Sequence, residues 1–382
     1  MSRRRRIVLF SPFAPNIGGG SAILKSLIPQ LEAFDISWLY TAYRDQQFSG
    51  ATWIGPGLGG GSALHELSRA ALLWSRVETP RLDHLAQELM SRPADGHWIL
   101  AHNEGTLVAR VLMRRGARVH LTVQDDVPDG IFGRSNRYRL LAPLARPTYQ
   151  QTLKQARSVD VISEGMRRYY ASRLGLKSVV VHRFISQLPA TTPPPPRANQ
   201  IEVGHIGNIY SAAEWRAFLA ALRAYAQTRR QAARMVMVGL AERYRTVAGE
   251  FSEMVELIPD TPEEEAVQRL SRCDFVYAMY PFERRADVFR RTSLPTKVSS
   301  YLLCQRPIFG HAPAASSLAD VLRAHDLGVL CPSSTPAALD AAIEIIAAKT
   351  VPHDQYETAR RALFGTQNVI RLANCLADLS AV

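Results

Sequence analysis

The chain has 382 residues, 47% of them hydrophobic, and a formal net charge of +12. It is too long for one typical domain and apolar enough for two buried cores, which excludes a disordered or low-complexity protein. Its four cysteines, Cys273, Cys304, Cys331 and Cys375, form no CxxC or Cys/His cluster, which excludes a disulfide framework and a zinc site.

The positive charge is uneven. Residues 1–190 carry 25 Lys and Arg against 14 Asp and Glu, leaving 21 against 20 for the remainder. A basic first half suits an anionic acceptor or an anionic membrane surface as readily as a solvated surface. It has no nucleic-acid motif and no aromatic-basic platform, so nucleic acid is not the expected partner. Arg3–Arg6 is followed by only Ile7–Phe10, too short an apolar run for a signal peptide, and no stretch approaches a membrane span. A cytoplasmic location is expected, with peripheral contact at the membrane face.

In chain order, Arg6–Phe10 reads as a buried strand and Ser11–Gly20 as a loop ending in three glycines. Ile23, Leu27, Leu31 and Phe34 then recur at helical spacing. Ile36–Tyr40 is a second strand, and Gly55–Gly61 a glycine-rich loop. His97–Ala101, Val119–Val123 and Val159–Ile162 are strands with helices between them. Repeated strand–helix units predict a parallel sheet covered on both faces. Pro193–Pro196 interrupts the pattern as a stiff spacer. The alternation restarts with strands at Glu202–Ile206, Met235–Val238, Val255–Ile258, Phe275–Met279, Ile308–Phe309 and Gly328–Leu330. A helix is expected over 212–228 and one or two over 354–379. The predicted division is a first domain over 1–190, a hinge over 191–200, a second domain over 201–355, and a helical segment over 356–382 that returns toward the first domain.

The residues that carry chemistry fall at strand ends. Gly19 and Gly20 open the first helix, where bare backbone lets a ligand approach. No GxGxxG motif is present, so a dinucleotide cofactor is not expected. Asp125 and Asp126 follow the strand Val119–Val123; a carboxylate there suits removal of a proton from a sugar hydroxyl, and an aspartate pair is also an ordinary turn former. His102 and Glu104 take the same place after the preceding strand. In the second half, Gly207, Asn208 and Gly239 follow strands, and Tyr280 ends the strand before an arginine-rich loop with Arg284, Arg285, Arg290 and Arg291. Pro295, Thr296 and Lys297 fit the first turn of a helix that also carries Ser300. A lysine, an arginine and helix N–H groups together stabilise a departing diphosphate without a metal.

Several segments together resemble nucleotide-sugar glycosyltransferases of the GT-B fold, in the broad group 1 superfamily. Pro15–Gly20 resembles the glycine-rich loop, Ala156–Gly175 the segment that closes the first domain, and Val203–Asn208 the opening of the donor domain. The most specific match is Leu294–Leu302 with Arg306–Phe309, which resembles the donor motif and keeps its lysine as Lys297. The resemblance implies an α/β protein with two Rossmann-like domains facing across a cleft, closing about the hinge. It implies a nucleotide diphosphate-sugar as donor, with no separate cofactor and no metal, and a glycan or lipid-linked acceptor in cell-surface polysaccharide or glycoconjugate synthesis.

The chain departs from the family at four places. Thr292 and Ser300 stand where two glutamates are expected, the second of them the ribose contact; Gln124 replaces a histidine, and Gln305 a glycine. The gained Asp125–Asp126 pair resembles inverting members, in which an aspartate of this loop is the base. On that pattern Gly19, Gly20, Gly207, Asn208, Gly239, Tyr280, Arg291, Thr296, Lys297 and Ser300 line the donor, Asp125 or Asp126 is catalytic, and His102 and Glu104 lie on the acceptor side. The missing carboxylates keep a second expectation open, a non-catalytic subunit that binds a sugar nucleotide or glycan.

Overall fold

The computed structural model describes residues 3–16, 18–57, 63–190, 193–195, 199–239 and 242–380. Part of the glycine-rich stretch Gly55–Gly61 and part of the proline spacer lie outside the described residues. The chain forms two compact units. The first is Met1–Phe184, Arg285–Ser293 and Gly365–Val382; the second is Ile185–Arg284 and Leu294–Phe364.

The first unit is built on seven strands: β1 (Arg5–Ser11), β2 (Phe34–Tyr40), β3 (Ala51–Trp53), β4 (Gly96–Leu100), β5 (Val119–Val123), β6 (Ser158–Val161) and β7 (Val179–Val180). They lie in the order β3-β2-β1-β4-β5-β6-β7, every pair parallel. β4 and β5 are buried along their whole length, as the continuous apolar runs require of a sheet covered by helices on both faces. Local signals set the helix ends. Thr79 precedes Pro80 and accepts a bond from the Leu82 N–H at 3.3 Å, and Ser163 caps the Met166 N–H at 2.9 Å. Gly175 closes the helix Glu164–Leu174 in the left-handed conformation, with φ of 64°.

The last helix, Gln367–Ala377, seats on this sheet. Cys375 offers its carbonyl to Ser158 Oγ at 3.3 Å, and Arg371 reaches the Val180 carbonyl at 3.1 Å. Beneath it a buried polar chain ties three strands. Trp98 Nε1 donates to Thr122 Oγ1 at 2.7 Å, and Thr122 Oγ1 donates to Asp160 at 2.6 Å. His120 bridges Asp160 at 2.6 Å and Ser158 at 2.9 Å. Each of these buried groups has a partner, so the desolvation cost of burying them is offset.

The second unit has six strands: β8 (Gln200–Ile206), β9 (Ala232–Val238), β10 (Val255–Ile258), β11 (Phe275–Met279), β12 (Ile308–His311) and β13 (Gly328–Cys331). Their order is β10-β9-β8-β11-β12-β13, again all parallel. The core on one face gathers Trp215 and Phe218 of the helix Ala212–Thr228 against Tyr277 and Phe309, with the Phe218 and Tyr277 rings stacked at 4.3 Å. All four cysteines are free and buried.

Each sheet reverses its strand order once, between β1 and β4 in the first and between β8 and β11 in the second. The loops after those strands diverge, which opens a crevice at the carboxyl edge of each sheet.

Some expectations change. The first helix is Gly18–Leu27, a 3₁₀ turn Ile28–Gln30 follows, and Phe34 is the first residue of β2 rather than part of the helix. Pro29 accounts for this, because its nitrogen has no hydrogen to donate back along the helix. Pro295 lies before its helix, which starts at Lys297. The short strands β3 and β7 were not expected; at three and two residues they are too brief to show a period.

Within the first unit, the helix Asp287–Thr292 lies against the start of the helix Glu164–Leu174. Ser163 Oγ donates to the Thr292 carbonyl, and a Cβ on Gly165 would stand 1.8 Å from the Arg291 carbonyl oxygen. Gly165→Ala is therefore expected to force this segment off and to lower stability by roughly 1–3 kcal/mol, measured by urea unfolding.

Candidate functional site

At the crevice of the second sheet, the chain leaves β8 through Gly207 and Asn208. Gly207 has φ of +74° and Gly239, after β9, has φ of +76°, so both turns use a conformation that side chains with a Cβ disfavour. Nothing lies within 4 Å of where a Cβ on Gly207 would stand, so its backbone is open to an approaching group.

Lys297 enters this crevice from the first turn of the helix Lys297–Cys304. Its ammonium donates to the Asn208 carbonyl at 2.8 Å and faces His205 Nε2 at 3.2 Å, with the Tyr210 ring centroid at 5.1 Å. It is buried, and among the described residues it makes no ion pair with a carboxylate. Burial lowers its pKa to about 7. His205 is buried too; desolvation first, and then the neighbouring Lys297 charge, push its pKa down to about 3. Its two ring nitrogens lie against backbone carbonyls, Nδ1 against Tyr277 and Nε2 against Gly207, each at 2.9 Å, and Nε2 is also the atom that faces the lysine. A buried cation with one carbonyl acceptor and otherwise neutral neighbours is incomplete, and an anion such as a phosphate completes it.

The helix start contributes less to such a site than its N-terminal position suggests. The N–H groups of Val298 and Ser299 already bond the carbonyls of Pro295 and Thr296, at 3.0 and 3.1 Å. Thr296 itself is exposed and makes no side-chain cap. One turn on, Ser300 Oγ donates to Glu263 Oε1 at 2.7 Å. Glu263 opens the helix Glu263–Leu270, and no sequence motif marks it. Tyr280 is fully buried and stacks on Tyr210 at 5.9 Å, so Tyr210 is the ring that meets Lys297. His205, Tyr210 and Glu263 were missed in the sequence. The histidine inside an apolar strand is the one signal that pointed to them.

At the crevice of the first sheet, the two aspartates after β5 have different work. Asp126 is buried and caps the turn Val127–Phe132, accepting from the Asp129 N–H at 2.8 Å and the Gly130 N–H at 3.3 Å, while Tyr170 donates its hydroxyl at 3.0 Å. Desolvation outweighs these bonds and raises its pKa to about 6. Asp125 is half-buried, and its carboxylate accepts from Ser293 Oγ at 2.7 Å. Next to it lies His102, whose pKa is lowered by burial against the opposing pull of Asp125. The His102 ring stands edge-on to Phe13 at 6.3 Å.

Glu104 begins the helix Glu104–Arg114 and is buried; a Cβ on Gly57 would come 3.2 Å from its Oε2 and 3.8 Å from Thr41 Oγ1. Gly19 and Gly20 lie in the first turn of their helix, and a Cβ on Gly20 would stand 2.0 Å from Gln124 Oε1. The glycine thus lets the loop after β5 approach. Arg291 is exposed, pairs with Asp287 at 3.1 Å, and belongs to the segment Arg285–Ser293 of the first unit, whereas Lys297 belongs to the second. Among the described residues no three His, Cys, Asp or Glu cluster as metal ligands do.

Solved structures match the whole chain. A sucrose-phosphate synthase from Thermosynechococcus elongatus superposes with a TM-score of 0.70 at 13% identity, over 98% of this chain and 99% of that one. WaaG, a glycosyltransferase involved in lipopolysaccharide biosynthesis, gives 0.65 at 11% identity, over 98% and 99%. This is the GT-B fold. A putative UDP-N-acetylglucosamine 2-epimerase from Listeria monocytogenes also shares it, at 0.59 and 11% identity, over 97% and 94%. No family model matches the chain, and no curated protein matches it in sequence. The GT-B fold therefore places the two crevices, and the residues within them must argue the chemistry.

Two outcomes follow from the buried charges. Asp126 has a higher pKa folded than its ordinary 3.8, so the folded state binds its proton more tightly and the stability it contributes is lost as pH rises from about 4 to about 6. Relative to Asp126→Asn, the wild type is expected to lose up to roughly 3 kcal/mol across that window, read by denaturant titration at each pH. Lys297 has the opposite displacement for a base, so its burial penalty is full below about 7 and fades toward 10.5. Lys297→Met is expected to stabilise the ligand-free protein near pH 6 by roughly 1–3 kcal/mol, shown by a higher melting temperature.

Proposed function

We propose that this protein is a glycosyltransferase that uses a nucleotide diphosphate-sugar, with the donor on the second unit and the acceptor on the first. The observation that carries the reading is the buried Lys297 ammonium, held by neutral partners alone at the strand-order reversal of the second sheet. Departure of a nucleoside diphosphate develops negative charge, and a preorganised, water-poor cation stabilises it. In this reading Lys297, rather than a metal, meets that charge, and the open backbone at Gly207 and Gly239 admits the nucleotide.

Glu263 takes the ribose hydroxyls in this proposal. Ser300 orients its carboxylate from one turn beyond Lys297, so the carboxylate absent from the Lys297 helix is supplied by its neighbour. A carboxylate accepts both hydroxyls of a ribose in one plane. On the first unit Asp125 is the base for the acceptor hydroxyl, held by Ser293, with His102 and Glu104 beside it; Asp126 shapes the loop. An aspartate base favours inversion of the sugar carbon. The acceptor is a glycan or lipid-linked sugar, in keeping with the basic first half of the chain.

The departures at Thr292 and Ser300 favour a second reading, a GT-B subunit that binds sugar nucleotides without turnover. A panel of UDP-, GDP- and TDP-sugars, scored by thermal shift and donor hydrolysis, separates the two. The transferase reading expects a stabilising donor whose effect is lost in Lys297→Ala. It also expects Asp125→Asn to keep binding while turnover falls by on the order of 10²–10⁴-fold. Binding without turnover, unchanged by Asp125→Asn, is the outcome of the second reading. For Glu263→Gln the expected result is weaker binding of the ribonucleotide by roughly tenfold, with a smaller loss for its 2′-deoxy analogue, which keeps only the 3′-hydroxyl, by calorimetric titration.

A further inference from the structure

Two neighbouring helices of the first unit expose leucines to solvent. On the helix Ala63–Trp74, Leu64 is 80% and Leu72 56% exposed; Leu140, in the 3₁₀ turn before the helix Ala142–Gln155, is 82% exposed, and Leu144, in that helix, 38%. A single exposed leucine is ordinary, but these four lie on the solvent sides of two adjoining stretches. Glu66 bonds the Tyr138 hydroxyl at 2.8 Å, and the Trp74 carbonyl accepts from Thr148 Oγ1 at 3.1 Å. The two stretches therefore run side by side in the same direction, which sets Leu72 level with Leu144. Pro143 and Pro147 are exposed on the same side as Leu140 and Leu144.

The frame around these leucines is basic. Glu66 is neutralised by Arg137 at 2.7 Å, Asp129 by Arg146 at 2.6 Å, and Glu78 by Arg114. Arg69 and Arg139 have no acidic partner among the described residues. The stretch Arg134–Arg146 does not form a single interfacial helix: it is a turn, a 3₁₀ turn Arg139–Leu141 and a helix start, with Leu141 buried. The exposed leucines come instead from two elements.

We propose that this face is a docking surface for an anionic lipid bilayer, with Leu64, Leu72, Leu140 and Leu144 entering the interface and the arginines meeting the headgroups. Leucines framed by arginines are the pattern of interfacial helices, and anionic lipid supplies the charge this face lacks. A second copy of the chain fits it less well, since symmetric pairing of one patch with itself sets arginine against arginine. The inference stands apart from the transfer reading, because binding to vesicles is read without donor or acceptor.

The test is co-sedimentation with vesicles of phosphatidylcholine, alone or mixed with phosphatidylglycerol, at low and high salt. The wild type is expected to pellet with the mixed vesicles at low salt and to be released by high salt. Leu140→Asp combined with Leu144→Asp should weaken binding roughly tenfold or more, and Arg69→Glu combined with Arg139→Glu should weaken it and flatten the salt dependence. All four sites are at the surface, and circular dichroism confirms that the variants fold. Absence of binding by the wild type at low salt overturns the proposal. So does undiminished binding by both variants, or a dimer in sedimentation velocity that the leucine changes abolish while vesicles are never bound.

Discussion

Parallel strands can be joined only by a crossover that returns the chain to the same end of the sheet. Both units obey this throughout, so every loop that follows a strand collects at one carboxyl edge. Gln124 to Asp126, His102 and Glu104 in the first unit, and Gly207, Asn208 and Tyr280 in the second, are brought to such an edge by that constraint alone. The one reversal of strand order in each sheet then selects where along the edge a crevice opens.

Within the second crevice, polarity and burial are set against each other. Lys297 gives up the hydration of its charge and receives one carbonyl in return, with a neutral imidazole beside it. His205 can serve because burial among Tyr277, Tyr301 and the strand backbone keeps it neutral; a protonated ring would repel the ammonium. The arrangement costs the protein stability and leaves a buried cation at the crevice among neutral groups. Binding sites commonly carry local instability of this kind.

The aspartate pair shows how one backbone turn separates two adjacent, chemically identical groups. Past the end of β5 the chain bends, and Asp126 turns inward to cap 127–132 while Asp125 stays at the half-open edge with Ser293. Ser293 reaches it because the segment Arg285–Ser293 packs on the first unit, steadied by Ser163 and the bare Gly165. A protein with a putative epimerase assignment shares the fold with a sucrose-phosphate synthase, so details at this scale decide the chemistry.

Much of the fold was legible in the chain. Val119–Val123, Val255–Ile258, Phe275–Met279 and the helix Ala212–Thr228 fall where apolar runs and helical spacing put them, because hydrophobic period is a local property. The helix that Lys297 begins was legible as well, from the Leu294–Leu302 segment around it. What remained hidden is non-local. Sequence determined that two βα units exist, which residues end their strands, and that the first half is basic. Only the tertiary structure decided that Lys297 meets His205, that Glu263 stands beside Ser300, and that the stretch with leucines 64 and 72 adjoins the one with 140 and 144. Those pairs are separated by 92, 37 and about 70 residues, and no periodicity spans such distances; packing alone brings them together.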